Sequence, residues 1–115
     1  MTEKKSIGIV SLASDGGLGT RREIPIVDMV RSVFKDHRMC TVARTEENTF
    51  LLSVENPEST GRWPKADMYL SEESMLALFG AVCLFYTHYD IDVNEKIKEL
   101  VGKDTLSYEF SSIND

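Results

Sequence analysis

His88, Asp90 and Asp92 fall close together in the run HYDID, and imidazole and carboxylate groups can ligate Mn²⁺ or Zn²⁺. The same run lies between two helical patterns, where aspartate is a preferred capping residue. The other histidine, His37, belongs to a distant element. HYDID is therefore expected to close one helix and open the next, and no metal or other cofactor is assigned. Cys40 and Cys83 sit on separate apolar segments without CxxC spacing, which predicts buried, reduced, inert thiols of the cytosolic type. No Gly-x-Ser-x-Gly elbow occurs, and Ser11 and Ser53 lie on strand patterns with no evident base. The chain is not expected to be an enzyme.

A second candidate is the run IGIVSLASDGGLGT, residues 7–20, where a strand pattern breaks into glycines. DGGLGTRR resembles the glycine-rich loop of P-loop ATPases with the pattern KGGxGK[ST]. Such a loop needs bare backbone amides, a lysine for the phosphates, a hydroxyl for Mg²⁺ and a helix directly after it. Asp15 and Thr20 replace the two lysines, Arg21 replaces the hydroxyl residue, and Arg22 to Pro25 delay the helix. Nucleotide hydrolysis is excluded on these grounds. The glycines predict a turn, with Arg21 and Arg22 available to an anion.

The elements that would position such groups follow from hydrophobic spacing. SIGIVSL (6–12) reads as a mostly buried strand. IVDMVRSVFKDH places Ile26, Val30, Val33 and Phe34 on one helical face, with Arg31, Lys35 and Arg38 outside, so a short helix is expected after Pro25. MCTVAR (39–44) and NTFLLSVE (48–55) form a hairpin about TEE, and ADMYL (66–70) returns as a strand. Ser71 should cap a helix, EESMLALFGAVCLFYTHY, that is apolar on every side. In a chain of 115 residues such a helix must be central or lie in a subunit interface. Another helix starts at Asp92 with Gly102 past its end, and TLSYEFSS closes as a half-exposed strand.

Composition narrows the class. An apolar fraction of 42% with 28% charged residues fits a globular protein, and the length fits one domain over 1–115. Residues 1–44 hold eight Lys/Arg against five Asp/Glu, whereas residues 45–115 hold five against fourteen. That asymmetry disfavours wholesale polyanion binding and favours an acidic surface for a protein partner. MTEKKS lacks the apolar core of a signal peptide, and the longest apolar stretch, Met75 to Tyr86, is short of a membrane span. A soluble, cytoplasmic protein with no membrane contact is expected.

GRWPK (61–65) sets the sole tryptophan between Arg62 and Lys65 in a turn-rich connection, the composition of a base-stacking platform. A tryptophan folded back on the sheet under a stacked arginine is the structural alternative. From FLLSVE through GRWPKADMYLSEESMLALF, residues 40–79 resemble the ββββα unit of the Whirly, Pur-alpha and transcriptional-coactivator single-strand-binding proteins, with MYLSEES as the strand-to-helix stretch. The resemblance implies single-stranded DNA or RNA bound through Arg44, Phe50, Arg62, Trp63 and Lys65, and a helix that dimerises. The chain departs from that family in having few lysines over 45–79, an added helix and a closing strand in an acidic region.

The sequence thus predicts an α+β fold, an antiparallel β-sheet with helices packed on one face, in the order strand–helix–three strands–two helices–strand. The expected function is that of a small acidic non-catalytic binding protein, an adaptor, regulator or inhibitor acting by protein–protein contact. The alternative is a single-stranded nucleic-acid-binding module. Binding of either partner is assigned to Arg21, Arg22, Arg31, Lys35, Arg44, Arg62, Trp63 and Lys65, and a homodimer would form through helix 72–88.

Overall fold

In a computed structural model, which describes residues 7–13, 21–55 and 65–114, six strands form one antiparallel sheet accompanied by two helices. The strands are β1 (Gly8–Ala13), β2 (Arg21–Phe34), β3 (Met39–Thr45), β4 (Thr49–Glu55), β5 (Lys65–Ser71) and β6 (Leu106–Ser112). Helices α1 (Glu72–His88) and α2 (Val93–Gly102) lie between β5 and β6. Strands β1 to β5 are neighbours in chain order, and β6 returns to pair with β2. The glycine-rich loop and the GRWPK connection, with Arg62 and Trp63, lie outside the described residues.

The expected first helix is instead the 14-residue strand β2. Isoleucine and valine are stiff at χ1 and fit a pleated surface better than a helix. The helical spacing of Ile26, Val30 and Val33 has a different origin. A β-bulge between Ile26 and Asp28 shifts the alternation by one residue, so Ile24, Ile26 and Met29 share a face although their spacing is uneven. The bulge also turns two successive carbonyls to one edge. Ile26 accepts from the Ile7 amide at 3.1 Å and Val27 from the Ile113 amide at 3.0 Å. One edge of β2 can therefore serve β1 along its first half and β6 along its second. Pro25 is tolerated because its carbonyl faces the end of β3, accepting from Glu46 at 3.0 Å, where a missing amide breaks no ladder bond.

The sheet curls. β1 lies four places from β5, yet Val10 and Leu12 line a cavity together with Leu51 and Tyr69. The curl encloses a small core of Val10, Ile24, Ile26 and Ala43, with Met29, Leu51 and Tyr69 packed against it. This face is called inner below. The opposite, outer face carries Val30, Val42, Leu52 and Phe50.

Both helix starts agree with expectation. Ser71 Oγ accepts the Ser74 amide at 3.2 Å, with Glu72 and Glu73 in the first turn, and Asp92 accepts from the Asn94 amide at 2.9 Å. Gly102, expected beyond the helix, is its last residue, and Asp104 takes the left-handed conformation in the turn to β6. His37, Asn48 and Asp90 do the same in the other tight connections, since short polar side chains tolerate positive φ. Asp90 and Asp92 of HYDID are thus a left-handed turn residue and a helix cap.

Candidate functional site

The structure scatters the cations and gives most of them an acidic neighbour. Arg22 is paired with Glu47, in the turn between β3 and β4. Arg31, on the inner face, stands opposite Glu109 of β6, 4.0 Å apart. Arg44, on the outer face, holds Asp28 with two hydrogen bonds, Nε to Oδ1 at 2.9 Å and Nη2 to Oδ2 at 2.5 Å. Lys65, on the inner face of β5, lies between Glu55 at 3.6 Å and Asp67 at 3.9 Å. Lys35 borders a shallow cleft at the end of β2. Phe50, beside Arg44 on the outer face, is buried and offers no ring to a base. Arg21 opens β2. Of the expected binding set, Arg31 and Lys65 share the inner face and Arg44 lies opposite them. They do not converge.

Among the described residues two ionisation equilibria are displaced. Arg44 is held further into its protonated form by the hydrogen bonds to Asp28. The Arg38 guanidinium, hydrogen-bonded to Asp36 and lying 4.5 Å above the Phe34 ring, holds the Asp36 carboxyl below its ordinary value. A carboxylate shifted down contributes its stabilisation above the unfolded-state pKa and loses it as pH falls through the folded one. Carbon-13 NMR titration should therefore place the Asp36 midpoint below its ordinary value and raise it in Arg38→Ala, where the backbone amide of residue 38 remains to hold part of the shift. A midpoint unmoved by the substitution would contradict that assignment.

The inner face holds a polar network that spacing alone did not reveal. Ser53 Oγ donates to Asp67 at 2.7 Å, and the Thr45 and Tyr69 hydroxyls each bond to Thr49, at 2.6 and 2.7 Å. The cavity beside it measures about 380 Å³ and is bounded by Ile9, Leu12, Lys65 and Asp67. Neither His37 nor His88 is a partner of Ser53, so no imidazole base stands beside that hydroxyl. Among the described residues no three of His, Cys, Asp and Glu gather closely enough to hold a metal ion.

The outer face is different in kind. Phe110, Val30, Val42, Leu52 and Met68 are successive register partners and form one apolar row across β6, β2, β3, β4 and β5. Cys40 and Val54 extend it. Against this row α1 leans only lightly, leaving a groove of about 440 Å³ walled by Val42, Leu52, Met75, Phe79 and Val82. No residue of α1 is buried. Phe79 is 64% exposed, Leu84 72% and Phe110 65%. Cys40 and Cys83, expected to be buried, are half-buried on the outer face and on α1.

No family model, characterised protein or solved structure matches the chain. The molecule's own surface must therefore carry the reading. Among the described residues Arg22, Arg31, Arg44 and Lys65 each face a carboxylate, whereas Val54, Met68 and Phe110 on the outer face are half or more exposed. Apolar patches on monomeric proteins rarely exceed a few hundred Å² unless something binds there. The sequence carried part of this signal, in the all-round apolarity of 75–86. It did not show that α1 and the sheet row lie together. Among the described residues no single helix is long and apolar enough to cross a membrane, and α1 and α2 meet at 95°.

Proposed function

We propose that this chain is a small acidic non-catalytic binding protein that acts through protein–protein contact, as an adaptor, regulator or inhibitor. The observation that carries the proposal is the uncovered apolar surface formed by α1 and the Phe110–Met68 row. Protein partners bury such a surface by the hydrophobic effect, and its lack of charge at the centre matches the core of an interface. Nucleic acid would need free cations, since phosphate neutralisation supplies most of that affinity. Arg22, Arg31, Arg44 and Lys65 are already engaged by carboxylates.

The single-strand-binding alternative retains one supporting feature. The meander β2–β5 runs through the Ser71 cap into α1, in the order that the resemblance implies. One experiment separates the two readings. A photo-crosslinking amino acid at Leu84, in cells that make the protein, should yield adducts that survive nuclease and carry peptides of a second polypeptide in mass spectrometry. Adducts removed by nuclease, or no adduct, would overturn the protein-contact reading. Quenching of Trp63 fluorescence by an oligonucleotide, relieved by salt, would favour the alternative.

A further inference from the structure

Helix α1 poses a problem that the described residues of its own chain do not solve. Every flank is apolar from Met75 to Tyr86, yet the sheet approaches only one of them, the flank with Met75, Phe79 and Val82. The opposite flank, with Ala77, Ala81 and Leu84, meets solvent. The sheet has a matching deficit. α1 leans toward β4 and β5 and α2 meets β6, yet Tyr108 and Phe110 on the outer face of β6 stay 49% and 65% exposed. One chain thus presents both a helix flank that needs a sheet and a sheet area that needs a helix.

We infer that the occupant of this surface is a second copy of the same chain, related by a two-fold axis, with each α1 held between its own outer face and that of its partner. The inference rests on the protein-contact reading and names its partner. Reciprocal packing makes α1 the middle layer of a sheet–helix–sheet sandwich, the setting in which a helix apolar all round is stable. It is isologous, so a single self-complementary patch is sufficient.

The area agrees. Outside the groove between α1 and its own sheet, Leu84 and Phe85 of α1 and Val54, Met68, Tyr108 and Phe110 of the outer face are each at least 49% exposed. At about 100 Å² apiece they offer on the order of 600 Å² of apolar surface per chain, and a standard interface takes roughly 800 Å² from each partner, of which about 60% is apolar. Charge agrees as well. Between Ser74 and Thr87 the helix has no charged residue, and Glu72 and Glu73 stand at its start. The apolar stretch of α1 therefore brings no charge into the middle of the interface.

Sedimentation velocity of the purified full chain at micromolar concentration tests this. The expected mass is twice 13.0 kDa. Leu84→Glu and Phe110→Glu, made separately, should each weaken association by at least about 100-fold, because the carboxylate would be buried without a partner. Far-UV circular dichroism should stay unchanged, since both positions are exposed in the single chain. Reciprocity has its own readout. With Cys40 and Cys83 replaced by serine, a chain with Leu84→Cys mixed with one with Phe110→Cys should form a mixed disulfide in larger yield than either alone. A wild-type mass of 13.0 kDa at about 100 μM overturns the inference without any variant, as does a larger mass that survives both substitutions. A monomer whose Leu84 crosslinks to another protein in cells would sink the second copy and leave the protein-contact reading standing.

Discussion

Ile24→Ala is expected to lower the unfolding free energy by about 3–4 kcal/mol, within the roughly 2–5 kcal/mol found for truncating a buried isoleucine. Ile24 is 1% exposed and packs with Val10, Ile26 and Ala43 in a core that the curl of the sheet encloses. Few other buried side chains stand beside it to close the cavity. For a domain of this size such a loss is a large share of the total stability. In urea the midpoint should fall by roughly 2–3 M at an ordinary slope. Ile9→Ala is the comparison, because Ile9 lies on the neighbouring strand β1 with its side chain exposed, and its cost should stay below about 1 kcal/mol. Both must be measured at one protein concentration, since self-association would shift the midpoint with concentration. Equal losses at the two positions would remove the claim that the curl, with β1 brought round toward β4 and β5, builds the core.

That core explains which parts of the fold could be read beforehand. The hairpin β3–β4, strand β5, both helix caps and β6 were legible because each depends on local signals, alternation in TFLLSVE or a Ser and an Asp placed before a helix. Strand β2 was not. Its bulge at Val27 moves apolar residues from one parity to the other, and a periodicity that changes phase halfway imitates 3.6. The β-branched content of IPIVDMV was the signal to weigh against that spacing. The antiparallel α+β class survives the error, while the helix count and the position of the first helix do not.

The candidate surface was legible in pieces. All-round apolarity of 75–86 marks α1 as needing cover, and that can be read from composition alone. The row from Phe110 to Met68 cannot, because it joins residues from five strands and depends on register. The basic set had the reverse fate. Arg31, Arg44 and Lys65 look free along the chain, and only cross-strand pairing reveals Glu109, Asp28 and Glu55 opposite them. Each such exposed pair adds little to stability, about 0–1 kcal/mol. Their consequence here is electrostatic, since each sets a carboxylate against a cation that stands alone in the linear sequence.

A second substitution probes polar satisfaction where the sheet turns from β3 into β4. Thr45 is fully buried, and its hydroxyl accepts the amides of Glu47 at 3.2 Å and Thr49 at 3.3 Å while bonding to the Thr49 hydroxyl at 2.6 Å. Valine reproduces the shape and removes all three bonds. Thr45→Val should cost about 1–3 kcal/mol, the penalty for leaving buried polar partners unmatched. Thr45→Ser keeps the hydroxyl and loses one methyl, at about 1 kcal/mol. The ordering is the informative result, because hydrophobic burial alone ranks valine above serine and hydrogen bonding ranks it below. Chemical denaturation of the two variants reads the order directly. A Thr45→Val protein as stable as the parent would show that the hydroxyl chain from Thr45 through Thr49 to Tyr69 does not hold the turn against the inner face.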